Sequence, residues 1–149
     1  MKYPIGIQDF EKIIEDGYVY VDKTELVYKL ANEGHIYFLS RPRRFGKSLL
    51  ISTLKYYFQG RKDLFRGLAI DKLETKWAEY PVFHLSFGSA NFTKHGTLDE
   101  VIDNYLADFE NDYPTNTKPR DFGIRFASIL KAAHKKTGRR AVVLIDEYD

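Results

Sequence analysis

The sequence contains no cysteine and only one tryptophan and one methionine among its 149 residues. Without cysteine the chain has no disulfide bond, no thiolate nucleophile and no cysteine-ligated zinc or iron–sulfur site. It also has no run close to the roughly 18 apolar residues of a membrane-spanning helix, and its first residues, MKYPIG, lack the apolar core of a signal peptide. These absences favour a cytoplasmic protein with no membrane partner.

The net charge is small, +2 at pH 7, so overall electrostatics do not indicate nucleic-acid binding. Hydrophobic residues make up 44% and charged residues 30% of the chain, a composition typical of a globular protein with one core. The four histidines are scattered without metal-ligand spacing, and we expect structural or surface roles for them.

Apolar segments alternate along the chain with segments of helical periodicity. Three short apolar runs, at 35–40, 82–87 and 141–145, are typical of buried strands. The clearest helix follows Thr97, where apolar residues recur at helical spacing as far as Phe109. Strands that alternate with helices in this way predict an α/β fold with a parallel sheet flanked by helices.

Smaller elements are predicted as well, with different strengths of signal. A short helix over 7–14, a strand over Tyr18–Val21, helices after Asp22 and Gly46, and a helix carrying Phe122 to Ala133 fit the apolar spacing. The stretch from Leu64 to Tyr80 is less regular and predicts short helical turns around Trp77.

The segment Arg41–Ser48, RPRRFGKS, lies between a predicted buried strand and an amphipathic helix. A phosphate group needs converging backbone N–H donors, a helix N-terminus and a nearby cation, and this segment can supply all three. Gly46 lets the backbone approach the phosphate oxygens, Lys47 would reach the β and γ phosphates, and the Ser48 hydroxyl would hold Mg²⁺. The pattern predicts a P-loop, or Walker A segment.

One position departs from the usual P-loop pattern, because Arg41 occupies the place of the first glycine. Pro42 removes one N–H donor and favours an extended conformation at Arg41, so the loop must begin differently. The donors that matter most remain, on Phe45, Gly46, Lys47 and Ser48. A Gly-Lys-Ser tripeptide also arises by chance, but its place at a strand-to-helix junction favours a phosphate site.

The apolar run 141–145 ends in Asp146 and Glu147, which is the form of a Walker B segment. Ligands of open α/β sheets bind beyond the carboxyl ends of the strands, so both acids are predicted on the same rim as the P-loop. Asp146 would hold Mg²⁺, directly or through water, and Glu147 would orient and deprotonate the attacking water. The alternative is a solvated strand end with two surface acids.

Arg41, Arg43 and Arg44 form a dense cationic cluster beside Lys47. They could neutralise the charge of a triphosphate or hold a nucleic-acid backbone. Pairing with acids or simple solvation is the alternative for Arg43 and Arg44.

Five segments of the sequence resemble the predicted AAA-ATPase-like family of bacteria and archaea: Tyr20–Thr24, Arg41–Leu49, Leu64–Leu68, Tyr80–Val82 and Leu144–Asp149. The resemblance implies ATP as the ligand, Mg²⁺ as the cofactor, and Lys47, Ser48, Asp146 and Glu147 as the working residues. It also implies that the segment containing Arg43, Arg44, Phe45, Gly46 and Leu49 surrounds the nucleotide.

The resemblance also implies an AAA-like P-loop domain whose N-terminal part is this chain. Residues 1–34 would form a helical and strand lead-in, and residues 35–149 the P-loop core through the Walker B segment. Family members usually continue into further ATPase strands and a restriction-endonuclease-like nuclease domain, which would bring nucleic acid as a partner, and oligomers are possible. One later strand would separate 35–40 from 141–145, so we expect a gap between them.

ATP binding is therefore the predicted function, with Mg²⁺-dependent hydrolysis expected of the full-length protein and weak or no activity of this fragment. Two alternatives remain open: a non-catalytic nucleotide-binding remnant of a truncated gene, and a nucleic-acid-binding module that uses Arg41, Arg43 and Arg44.

Overall fold

The structure, a computed structural model of the chain, describes residues 1–33, 47–87, 97–116 and 121–146. These residues form a mixed α/β protein in two compact units, Met1–Glu79 and Tyr80–Asp149. None of the helices in the described ranges is both long and apolar enough to cross a lipid bilayer.

The first unit is helical over its described residues. Its elements are α1 Phe10–Glu15, α2 Thr24–Glu33, α3 Lys47–Phe58, a 3-10 helix Lys62–Phe65 and α4 Ala69–Leu73. The helices predicted after Asp22 and Gly46 are confirmed as α2 and α3. The helix predicted over 7–14 begins later, at Phe10, because the Asp9 carboxylate accepts a hydrogen bond from the Lys12 N–H and caps the helix there.

Aromatic rings from distant parts of the chain form the core of the first unit. Phe10 and Phe65 are fully buried, and their rings stack with centroids 4.8 Å apart. Tyr20 packs edge-on against Phe10 at 5.1 Å, and Trp77 lies 5.3 Å from Phe65. Burying one such side chain contributes about 2–3 kcal/mol, so these contacts fix α1 against the 3-10 helix.

One prediction in the first unit is wrong, and another is confirmed only in part. Tyr18–Val21 is not a strand: the Val19 N–H donates to the Lys2 carbonyl oxygen at 2.7 Å, but no ladder of hydrogen bonds follows. The helical turns expected around Trp77 lie earlier, at Lys62–Phe65 and Ala69–Leu73. Trp77 itself has a φ of 47°, a left-handed conformation that interrupts any right-handed helix.

The second unit contains a two-stranded parallel sheet and two long helices. Its elements are β1 Val82–Ser86, α5 Thr97–Asp112, α6 Phe122–Thr137 and β2 Val142–Asp146. The strands pair in register from Val82 opposite Val142 to Ser86 opposite Asp146. Both strands, their parallel direction and both helices agree with the sequence prediction.

The core of the second unit is built around Phe83 of β1, which is 1% exposed. It contacts Phe109 of α5 at 4.9 Å and Phe126 of α6 at 5.9 Å between ring centroids, both edge-on. Gly138 ends α6 with a φ of 70°, a left-handed cap that a residue with a Cβ adopts only at a cost. The chain can therefore turn from α6 directly toward β2.

The strand predicted at 35–40 lies outside the described residues. The expected gap between that strand and β2 is untested for this reason, and β2 pairs with β1.

Candidate functional site

The predicted site residues fall into two groups. Lys47, Ser48, Leu49 and Asp146 belong to described elements. Six others lie outside the described residues: Arg41, Arg43, Arg44, Phe45, Gly46 and Glu147.

The N-terminus of α3 begins at Lys47, followed by Ser48 and Leu49. The N–H groups of a first helical turn have no partner within the helix and carry partial positive charge. No acidic residue occurs in the first turn of α3 to repel an anion. The Leu49 side chain is partly buried and packs against the core of the first unit.

Three hydrogen bonds anchor α3 to the start of α1. The Ser52 hydroxyl accepts from the Phe10 N–H at 2.9 Å and donates to the Asp9 carboxylate at 3.1 Å. The Tyr56 hydroxyl donates to the same Asp9 oxygen at 2.7 Å. Burial, together with the neighbouring Asp9 carboxylate, raises the pKa of Tyr56, which keeps it protonated as a donor. The direction in which α3 points is thus set by buried contacts along its length.

Asp146 is the last residue of β2 and lies at the carboxyl end of the parallel sheet. It is only 9% exposed. Within its own unit, no described N–H or O–H group donates to its carboxylate. A carboxylate of low exposure at the carboxyl end of a parallel strand can serve as a ligand for a divalent cation.

Hydrogen bonds on both edges of β1 hold the end of the sheet where Asp146 lies. The Phe87 N–H donates to the Asp146 carbonyl oxygen at 3.0 Å, which extends the pairing one residue past β1. On the opposite edge of β1, the Tyr105 hydroxyl donates to the Ser86 carbonyl oxygen at 2.8 Å and accepts from the Ser86 N–H at 3.0 Å. These contacts hold the carboxyl end of the sheet in one position.

No cluster of three or more histidine or acidic side chains suited to a metal ion occurs in the parts of the chain that the structure describes. Magnesium does not require such a cluster, because it is commonly held by one or two carboxylates together with substrate phosphates. Asp146 and the Ser48 hydroxyl have the oxygen chemistry that Mg²⁺ prefers.

Comparison with known families decides the affiliation. The family model described as "Predicted AAA-ATPase" matches residues 4–149. The chain belongs to the predicted AAA-ATPase family.

One relative of this predicted AAA-ATPase is the "Uncharacterized protein in vnfD 5'region" of Azotobacter chroococcum mcd 1. The two are 43% identical over 149 residues, which cover 99% of this chain and 29% of the relative. The chain thus spans less than a third of that relative's length. No solved structure matches the chain.

A segment that carries the predicted AAA-ATPase resemblance, Tyr20–Thr24, has a structural role. The Asp22 carboxylate accepts from the N–H and hydroxyl of Thr24 at 2.9 and 2.6 Å, and from the Ala69 N–H at 2.8 Å. The Thr24 hydroxyl in turn accepts from the Ile70 N–H at 3.1 Å. The segment therefore joins the first turns of α2 and α4.

Sequence reasoning missed the polar groups that hold the site elements in place. The Tyr105 hydroxyl donates to the Ser86 carbonyl oxygen and accepts from the Ser86 N–H, and the apolar spacing of α5 gives no signal for either contact. Asp9 was not singled out, although an acid directly before an apolar helix is a recognisable N-cap signal. The contact of Asp9 with Tyr56 spans 47 positions and has no local signal.

Proposed function

We propose that the chain binds MgATP through the start of α3 and the carboxyl end of β2, and that the full-length protein hydrolyses it. The observation that carries the proposal is the Asp146 carboxylate: it is 9% exposed, ends a parallel strand and accepts no hydrogen bond from the described residues of its unit.

A divalent cation would satisfy Asp146. The desolvation cost of a buried carboxylate is offset when a cation binds it. The sequence pattern assigns Asp146 and the Ser48 hydroxyl as Mg²⁺ ligands, and the ion would supply positive charge at the β and γ phosphates.

The start of α3 would bind the triphosphate itself. Lys47 would contact the β and γ phosphates, and the N–H groups of the first helical turn would donate to phosphate oxygens. Arg43, Arg44, Phe45 and Gly46 complete this loop by their place in the sequence pattern.

Glu147 is proposed as the residue that orients and deprotonates the attacking water. Its support is the Asp-Glu order at the end of β2 together with membership in the predicted AAA-ATPase family. Because this chain spans 29% of its relative, turnover is proposed for the full-length protein and nucleotide binding for the chain itself.

Titration with fluorescently labelled ATP, with and without Mg²⁺, tests the binding. We expect Lys47→Ala to weaken binding about tenfold or more, since a charge-assisted contact to phosphate contributes about 1.5–3 kcal/mol. Lys55→Ala, at the other end of the same helix, is the matched control and should change little. Equal affinity of the native chain and Lys47→Ala would refute the proposal.

Asp146→Asn tests the metal site with two separate readouts. It should remove the gain in ATP affinity that Mg²⁺ gives, and without Mg²⁺ it should change the free energy of unfolding by less than about 1 kcal/mol, because the carboxylate accepts no hydrogen bond from the described residues of its unit. Asp108→Asn, at an exposed position of α5, is the matched control. Lower stability of Asp146→Asn would identify a structural carboxylate instead.

A further inference from the structure

A dense set of cations surrounds the end of α6 and the turn into β2. The basic patch consists of Lys131, Lys135, Lys136, Arg139 and Arg140, all exposed. No acidic residue occurs between positions 131 and 140. Across the described ranges, none of the five forms an ion pair, whereas Arg61 and Arg125 do.

Three of these cations make cation–π contacts with aromatic rings. The guanidinium groups of Arg139 and Arg140 lie 5.6 and 5.9 Å from the centroid of the Tyr80 ring. Lys136 lies 5.4 Å from the Tyr113 ring centroid and donates to the Asp112 carbonyl oxygen at 3.1 Å. A guanidinium held by a ring face keeps its in-plane N–H donors available for two-point contact with a phosphate.

A favourable interaction with the helix dipole accounts for only some of the cations in the basic patch. Lys135 and Lys136 lie in the last turn of α6, where cations are favourable. Arg139 and Arg140 follow the left-handed cap at Gly138, outside the last turn, and lie over the Tyr80 ring. Their pairing with one ring concentrates two more charges at the same end.

The basic patch lies at the amino-terminal edge of the sheet. Tyr80 and Arg140 flank the first rung of the ladder, where the Val142 N–H donates to the Pro81 carbonyl oxygen. Asp146 is at the other end of β2, about 20 Å from Arg140 at roughly 3.3 Å per residue. A ligand on the patch would therefore not compete with one at Asp146.

We propose that the basic patch binds the phosphate backbone of a nucleic acid. The part of α6 from Lys131 to Thr137 is about 9 Å long at 1.5 Å per residue. That length matches the spacing of two to three phosphates along a strand, at about 3.4 Å per nucleotide. A membrane surface fits less well, because insertion needs apolar side chains beside the cations. Among the described residues of this unit, the exposed large apolar side chains are Leu98, Ile124, Val143 and Ile145, and none of them lies in the segment 131–140.

Fluorescence anisotropy with a labelled oligonucleotide, single-stranded or duplex, tests the proposal without ATP or Mg²⁺. For about four phosphate contacts, affinity should fall roughly 50- to 150-fold between about 50 and about 200 mM salt. Replacing Lys135, Lys136, Arg139 and Arg140 by Gln should weaken binding about tenfold or more at the lower salt concentration and reduce the logarithmic salt slope by about 3 to 4.

A matched control removes the same charge elsewhere. Lys29, Lys62, Lys72 and Lys76 are exposed in the first unit, and replacing them by Gln gives the same net charge as the patch variant. This control should change affinity less than about threefold, which is within the effect of net charge. The double variant Lys131→Gln with Lys135→Gln changes only exposed helix positions, and it should reduce the slope by about 1 to 2 even if the fourfold variant fails to fold.

Three results would overturn the proposal. One is equal loss of binding in the patch variant and the matched control, which would reveal a general charge effect. Another is binding that does not change with salt. The third is stronger patch-dependent binding to polyglutamate or to phosphatidylserine vesicles than to the oligonucleotide, which would assign the patch to an acidic protein or a membrane. Binding that survives Lys47→Ala would support a site separate from the nucleotide.

Discussion

The ion pairs of Arg125 provide a direct test of how burial sets the strength of a salt bridge in this protein. The Arg125 guanidinium contacts Glu110 at 2.6 Å and Asp103 at 2.5 Å, so the two distances are almost equal. The side chains of Arg125 and Glu110 are 11% and 8% exposed, whereas that of Asp103 is 58% exposed. Arg125 donates hydrogen bonds to Glu110 and to Asp103. These bonds, the one to Glu110 first, raise the pKa of Arg125, so its guanidinium stays charged.

The difference in burial predicts that Glu110→Gln lowers the stability of the protein much more than Asp103→Asn does. Glu110→Gln leaves a buried guanidinium without its main counter-charge, which costs about 3 kcal/mol, the lower end of the range for breaking a buried pair because the amide oxygen still accepts one hydrogen bond. Asp103→Asn removes an exposed partner and should cost about 0.5 kcal/mol.

Hydrogen exchange of the α5 and α6 amides measures both values locally. We expect protection factors to fall roughly a hundredfold for Glu110→Gln and about twofold for Asp103→Asn. Far-ultraviolet circular dichroism would check that both variants keep their helices. Equal losses for the two variants would refute the reasoning, since distance rather than burial would then set the strength of the pairs.

Three further predictions concern glycine, a hydroxyl and a carboxylate. Gly60→Ala should cost about 2 kcal/mol in urea unfolding, because its φ is 72° and a Cβ would lie 2.9 Å from a main-chain oxygen; Gly138→Ala, with a φ of 70° and open space, should cost about 1 kcal/mol. Tyr105→Phe should lower the free energy of unfolding by about 1–2 kcal/mol and speed amide exchange at Ser86, because the Ser86 N–H and carbonyl oxygen both lose their hydrogen bond to the hydroxyl. Despite opposing desolvation, hydrogen bonds lower the pKa of Asp22, so the stability that Asp22→Asn loses, about 1 kcal/mol at neutral pH, should shrink as the pH falls below the ordinary value of 3.8.

The sequence was sufficient for elements with strong periodicity. In α5 the apolar stripe through Leu106 and Phe109 continues over several turns, and Leu106 is fully buried as such a stripe predicts. Tyr18–Val21 shows where propensity fails: aromatic and β-branched residues favour strands only when another strand is available to pair. Tyr20 buries its ring against Phe10 instead.

The place of Asp146 at the end of a strand was predictable from the sequence, whereas its burial was not. The apolar run 141–145 predicts a strand that leads into this acid, and β2 ends at Asp146, parallel to β1. That Asp146 belongs to a nucleotide site stays a prediction. Its burial depends on packing between segments far apart in sequence, which no local pattern encodes. The same is true of the Tyr105 hydroxyl, whose partner Ser86 is 19 positions away.

The register of the sheet has a consequence for the order of folding. Every residue of β1 pairs with a residue 60 positions later, from Val82 with Val142 onward. Closing a loop of that length costs about 3–4 kcal/mol in chain entropy, a cost that early packing of α5 against α6 would reduce by shortening the free chain. During synthesis β1 leaves the ribosome before β2, which is 60 positions later in the chain. The edge of β1 that pairs with β2 is therefore open to other chains during that interval.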